Sequence, residues 1–310
     1  MSYLLFGEAG TSLKTLTDAT ARKQAFLAQQ QAMSRALAPG TAASCFSWDA
    51  PTLTSSRLCD VNEFQVPEIY EQLLALGFDP TDIHRKNWEK AAVAFLVEHF
   101  GYFDDQSAGL GLGVAKESLL YLLSNHCGWI VGIDLYQPVF CDGAGMTCEE
   151  VYASAPFPYR RERLEIVAMD MRSIDFPDAT FDFVWSVSSV EHVNSIDELI
   201  TVFRHIERVL KPGGHAFITT EWNRVSQNPV YAPGAILFDE VLYPYLLSRL
   251  DNLRPLTPLH LRQPYHPDHF FAQKWTTSTG LEMRPCVNLF SYGTFITPVL
   301  LILRKALQNA

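Results

Sequence analysis

Gly109-Leu110-Gly111-Leu112-Gly113-Val114-Ala115, residues 109–115, is the stretch that decides the fold. A short apolar run, Ala108–Leu112, leads into it, and a helical pattern follows over Lys116–Ser124. Small residues let the backbone turn tightly and let a ligand approach the main chain. The start of the following helix offers unpaired N–H groups and the positive end of a dipole to a carboxylate or phosphate. Asp134 ends the next apolar run, where a carboxylate can accept both hydroxyl hydrogens of a ribose. By themselves these residues fit a dinucleotide site, or a tight turn with no ligand and a solvated acid. The G-x-G-x-x-G test fails. Counted from Gly109 the third glycine is Val114, and counted from Gly111 it is Lys116.

The pattern around this turn extends it into a sheet. Apolar runs at Ala108–Leu112, Trp129–Ile133, Leu164–Met169, Phe181–Val187 and His215–Thr219 alternate with helical stretches. Such βαβ alternation implies an α/β, doubly wound, mostly parallel sheet with helices on both faces. Ser195-Ile196-Asp197-Glu198 is a capping box that opens a helix running to Leu210. Lys211-Pro212-Gly213-Gly214 ends it. Two further strand patterns, near Leu281–Leu289 and Thr297–Arg304, predict seven strands, six parallel and the last antiparallel.

Upstream, residues 1–84 read as a helical and irregular N-terminal cap on the domain of residues 85–310. Helices are expected over Ser12–Ala38, Pro67–Leu76 and Thr81–Phe100, with Thr81 as N-cap of the third. Residues 222–265 hold six prolines and many aromatics, a composition suited to a lid inserted after strand five. A helix near Pro267–Thr279 follows.

Composition excludes several classes. With 310 residues, 48% of them hydrophobic, the chain can bury a full core. A net charge of −10 argues against a nucleic-acid or anionic-membrane surface. The longest apolar runs are too short to span a bilayer. No basic n-region precedes an apolar stretch at the N-terminus, so a cytoplasmic location is expected. Six cysteines are scattered without a CxxC pair, which predicts reduced thiols and no zinc.

Four more segments add to the glycine turn a resemblance to the class I, Rossmann-like S-adenosylmethionine-dependent methyltransferases. These are Asp170-Met171, Phe181–Ser186, Val190-Glu191-His192-Val193 and Arg208–Gly214. The resemblance covers about residues 85–220 and implies S-adenosylmethionine as cofactor. It implies that Gly109, Gly111 and Gly113 line the methionine end, that Asp134 with Leu135 holds the ribose, and that Asp170 with Met171 flanks the adenine. Ser186 falls at the end of the family's fourth strand. The family usually carries an acid two residues before its first loop glycine, and here that place holds Gly109 or Ser107. Glu117 is then a candidate partner for the cofactor's ammonium group, or simply a partner of the helix dipole. His84–Glu89 followed by Gly109–Glu117 further resembles a bacterial subgroup associated with glycan biosynthesis, implying a small-molecule acceptor such as a sugar or glycan precursor.

Methyl transfer from a sulfonium is an in-line displacement, so the protein aligns the acceptor and removes its proton. Candidates lie past the ends of strands four and five. His192 and Glu221 are candidate bases, and Glu191 and Trp222 are candidate acceptor contacts. Arg85 is placed to hold an anionic acceptor, and Trp88 to serve the core or the site. The histidines at 260, 266 and 269 lack companion ligands at a metal-binding spacing. Two other functions remain open on sequence alone: a nicotinamide-dependent oxidoreductase, and a methyltransferase-like binding module without chemistry.

Overall fold

The computed structural model describes residues 13–136, 146–225, 230–232, 234–266, 269, 287–291 and 293–307. After a first helix, α1 (Leu13–Ala36), come α2 (Pro67–Ala75) and α3 (Arg85–His99). His84, not Thr81, caps α3: its Nδ1 accepts from the Lys86 N–H at 3.1 Å, while the Thr81 hydroxyl is held by Asp79. The sheet is then built from β1 (Ala108–Leu112), β2 (Trp129–Asp134), β3 (Leu164–Ala168), β4 (Phe181–Val187), β5 (Leu210–Asn223) and β6 (Thr294–Lys305). Between them run α4 (Ser118–His126), α5 (Cys148–Ala153), α6 (Ile196–Val209) and α7 (Leu242–Leu247).

The strands lie in the order β6-β5-β4-β1-β2-β3. β1 to β5 are mutually parallel and β6 is antiparallel to β5. The order reverses between β1 and β4, and their C-terminal ends open the crevice where such sheets bind ligands. Side chains on β1 and β4 explain why these strands pair so closely. A Cβ on Gly109 would meet the Phe183 ring at 2.3 Å, and one on Gly111 would meet the Trp185 ring at 2.3 Å. The absent side chains on β1 make room for two buried aromatics on its neighbour. Those aromatics share one core layer with Trp88 and Leu96 of α3 and Leu119 and Leu123 of α4. The other layer is formed by α6, through Leu199, Phe203 and Ile206, and by α7.

Among the described residues short pieces extend the sheet to eleven strands, where seven were expected. The strand expected at 281–289 lies outside the described residues as far as 286, as does the helix at 267–279 apart from His269; Leu289–Ser291 pairs antiparallel with β6. The segment after β5 is not simply a lid. Leu253–Pro255 pairs with β6, and Leu259–His260 pairs with Phe46–Ser47 and Arg57. Lys211–Gly214 loops out of the ladder, so that Phe183 of β4 faces His215.

The N-terminal cap is woven into this sheet. Arg57–Leu58 pairs antiparallel with β6. The Arg57 side chain is fully buried, with Nε and Nη2 donating to the two Glu63 oxygens at 2.6 and 2.7 Å. The Trp88 indole donates to Glu63 at 2.8 Å and lies under the guanidinium, 5.5 Å from its ring centroid. α1 docks on α7's approach through Gln30, which donates to Asp239, and through buried Met33. Cys45, Cys59, Cys127 and Cys148 carry free thiols, and Cys141 and Cys286 lie outside the described residues. Among the described residues no group of three or more His, Cys, Asp or Glu is placed to hold a metal. No described helix is long and apolar enough to cross a membrane.

Candidate active site

The glycine turn is tightened from β2. Gly113, at φ +64°, donates its N–H to the Ile133 carbonyl at 2.8 Å. A Cβ there would sit 2.5 Å from the Ser189 Cβ, so only glycine fits. Ser189 Oγ donates back to the Gly113 carbonyl at 2.8 Å, which locks the loop after β4 onto the loop after β1. Three non-glycine residues with left-handed backbone, Ala115, Tyr136 and Ser188, follow the ends of β1, β2 and β4. Strained backbone of this kind gathers where function requires a fixed loop.

Asp134 stands at the end of β2 beside this turn. Its Oδ2 accepts the Ala115 N–H at 2.8 Å and its Oδ1 accepts the Leu135 N–H at 2.7 Å. Each oxygen keeps a further lone pair for a hydroxyl donor. Leu135 is exposed beside it. At the end of β3, Asp170 is gripped by Arg172, whose Nη2 lies 2.6 Å from Oδ2. Hydrogen bonds from Arg172 hold the Asp170 carboxyl below its ordinary range. Met171 is half-buried against the α6 layer.

Glu117 opens α4. Its Oε1 accepts the Trp185 indole N–H at 2.7 Å. Burial pushes its pKa up to about 7, against the opposing pull of Lys90 and the Trp185 bond. Ser186 is fully buried and donates to the Leu112 carbonyl at 3.1 Å, so it ties β4 to β1 behind the turn. Gly109 also lies within the sheet rather than in the loop, since its space is filled by Phe183.

On the acceptor side the sequence candidates separate. His192 is exposed, and its Nδ1 lies 3.1 Å from the Gly234 carbonyl. A carbonyl only accepts, so Nδ1 carries the hydrogen and Nε2 of the neutral ring is left as an acceptor. The hairpin of Tyr231–Ala232 and Ala235–Ile236 that carries Gly234 is seated on this loop by bonds to the Val193 and Glu191 carbonyls. Glu191 is buried, and its Oε2 accepts from Thr220 Oγ1 at 3.0 Å. Trp222 is buried between Phe46 and Tyr243. Trp88 is buried in the core, and its indole donates to Glu63. Both tryptophans were candidates for the acceptor; their large apolar rings are instead covered by the N-terminal segment.

Glu221 is buried and ion-paired with Arg85, not with His192. Beside this pair lies a residue that the sequence did not single out. Glu89, one turn along α3 from Arg85, is fully buried. It accepts from Ser188 Oγ at 2.5 Å and Thr219 Oγ1 at 3.0 Å, and its carboxylate lies 3.2 Å from Lys86 Nζ. Burial opposes its ionisation, but Lys86, Arg85 and Ser188 outweigh that and hold its pKa below the ordinary value. The available signal was its position: Glu89 sits between Trp88 and Ala91-Ala92 on the buried face of α3.

Residues 109–218 match a family described as a methyltransferase domain. The match runs from β1 into β5. The chain is 40% identical over 53 residues to a sterol 4-C-methyltransferase of Caenorhabditis elegans, 17% of this chain. It is 41% identical over 61 residues to a sterol 24-C-methyltransferase of Eremothecium gossypii, 20% of this chain. The chain spans only 15% of the length of either relative. Among solved structures, the N-methyltransferase NodS of Bradyrhizobium japonicum WM9, in complex with S-adenosylhomocysteine, is 16% identical at a TM-score of 0.44. That match covers 77% of this chain and 98% of NodS. The Burkholderia thailandensis 1,6-didemethyltoxoflavin-N1-methyltransferase is 17% identical at a TM-score of 0.43, over 83% of this chain and 93% of that enzyme. The matched segment contains the glycine turn, Asp134, Asp170 and His192, while Arg85 and Glu89 come to it from α3, upstream of it, and Glu221 from just past its end.

Proposed function

We propose that the chain is an S-adenosylmethionine-dependent methyltransferase that methylates an oxygen or nitrogen of a polar small molecule, with a sugar or glycan precursor as the favoured acceptor. The observation that carries this reading is the meeting of the Gly113 turn, Asp134 and Glu117 at one sheet edge inside a methyltransferase domain. The residues present fit the cofactor. Asp134, Asp170 and Glu117 present carboxyl groups that match donors the cofactor carries. Asp134 with Leu135 would hold the ribose hydroxyls, Asp170 with Met171 the adenine, and Glu117 the ammonium group. When bound, the cofactor supplies a methyl group activated by its sulfonium. His192 Nε2 takes the acceptor's proton, and the Glu221–Arg85 pair orients the acceptor. The cofactor fits this turn better than a nicotinamide dinucleotide, because the third glycine of that fingerprint is missing.

Thermal unfolding of the full chain with S-adenosylmethionine, S-adenosylhomocysteine, NAD and NADP tests the proposal. Ligand at a hundredfold excess over Kd adds about 2.7 kcal/mol to the folded state. A rise of several degrees is expected with the first two ligands and none with the last two. A shift with NAD alone would overturn it.

A pH dependence follows from Glu117. Its folded-state pKa is raised, so the stability tied to its protonated form is present at acid pH and is lost as pH rises through about 7. Gripping an ammonium group requires the ionised form. S-adenosylhomocysteine affinity is therefore expected to rise from about pH 5.5 to about pH 8, with proton release on binding near pH 6. Calorimetry in buffers of different ionisation enthalpy measures that release. Glu117→Gln is expected to remove it; undiminished release in the variant would assign the proton to another group.

A further inference from the structure

The cluster under the N-terminal end of α3 contains two buried carboxylate oxygens with no hydrogen-bond donor, Glu89 Oε1 and Glu221 Oε2. Their residues are 0% and 6% exposed. A buried polar group left without a partner is costly, and each such group in a folded chain calls for an explanation. Both carboxylates belong to one arrangement. Arg85 Nη1 is ion-paired with Glu221 Oε1 and lies 3.7 Å from Glu89 Oε1. The arrangement is joined to the glycine turn in two steps: Ser188 donates to Glu89, and the adjacent Ser189 donates to the Gly113 carbonyl.

We propose that Glu89 and Glu221, bridged by Arg85, form an acceptor-binding site for neighbouring hydroxyl groups, as in a polyol or sugar carrying a vicinal diol. The proposal rests on the methyltransferase reading above and names the substrate class of that site. A carboxylate is only an acceptor, so the missing partners must be donors, which excludes a carboxylate, a phosphate or an apolar ring system. Arg85 and Lys86 already balance the two carboxylates, so the cluster is neutral and gains nothing by importing a third cation. Neutral O–H donors complete it with no charge left over. Two open oxygens around one guanidinium suit two hydroxyls on neighbouring carbons. Glu89 is thus a specificity residue supplied by α3, and Arg85, Glu89 and Glu221 all lie outside residues 109–218.

Saturation-transfer NMR on the full chain loaded with S-adenosylhomocysteine tests this. The probe is methyl α-D-mannopyranoside, which presents a cis diol, and its 2,3-O-isopropylidene derivative, with that diol blocked, is the control. Transfer to the free sugar and not to the blocked one is expected. Glu89→Gln and Glu221→Gln should each weaken sugar binding about tenfold or more while leaving S-adenosylhomocysteine affinity at its wild-type value. If Glu89→Gln fails to fold, Glu221→Gln with retained cofactor affinity decides. Bound S-adenosylhomocysteine with no sugar transfer, equal transfer to both sugars, or folded variants that bind the sugar normally would overturn the diol site and leave the methyltransferase reading intact. Failure to bind S-adenosylhomocysteine would overturn both.

Discussion

Replacing His192 with Ala is expected to lower methyl transfer to a hydroxyl acceptor by about 10²–10⁴-fold, the usual contribution of a positioned base. S-adenosylhomocysteine affinity should stay near the wild-type value. A hydroxyl is a poor nucleophile while protonated, and the site offers two candidate bases. Glu221 is the weaker one, because Arg85 occupies its Oε1. His192 is fixed differently. The Gly234 carbonyl takes the Nδ1 hydrogen and leaves Nε2 as the acceptor. Single-turnover rates for His192→Ala and Glu221→Ala, with a hydroxyl acceptor, separate the two. Near-normal rates in His192→Ala with collapse in Glu221→Ala would transfer the base role to Glu221.

The second large effect concerns stability. Arg57→Ala is expected to lower the free energy of unfolding by about 3–5 kcal/mol, because it leaves the Glu63 charge buried without its partner. Arg57 also donates to the Leu53 and Ser55 carbonyls at 2.7 and 3.1 Å, so one substitution releases two main-chain acceptors as well. The network sits where the cap joins β6, and its loss should loosen α3 and with it Arg85 and Glu89. Urea unfolding measures the loss. Replacing Arg57 and Glu63 together by Met and Leu should recover most of it, since a buried ion pair is often matched by apolar side chains of similar size. A loss below about 1 kcal/mol in Arg57→Ala would place the pair among the weak surface bridges.

The parts of the fold that were legible in the sequence are those whose pattern is local. Ala108–Leu112 and Phe181–Val187 are strands over the same residues in the structure, because buried parallel strands read as short apolar runs. Ser195 caps α6 by accepting the Glu198 N–H, one half of its capping box, while the Glu198 carboxylate accepts the Asn194 N–H instead of that of Ser195. The sheet edge was not legible. Arg57–Leu58 is only two residues long and is a strand because β6 lies beside it. The same holds for Leu253–Pro255, whose prolines and turn residues read as a lid. The site divides along the same line. Asp134 was legible from its place at a strand end, whereas Glu89 was not, because an acid one turn from a basic residue on a helix ordinarily reads as a solvated ion pair. Gly109 reads as a strand residue within Ala108–Leu112 and, by resemblance, as a cofactor contact; the Phe183 ring across the sheet adds a packing reason for it that the local pattern does not carry.

The central claim is that the crevice beside Gly113 binds S-adenosylmethionine with Asp134 on its ribose. The most direct measurement is a calorimetric titration of S-adenosylhomocysteine into the wild-type chain and into Asp134→Ala. Saturable binding is expected in the wild type, weakened by about 1–3 kcal/mol in the variant as the hydroxyls lose their acceptor. Equal affinity in the two proteins, or no binding to the wild type, would contradict the account.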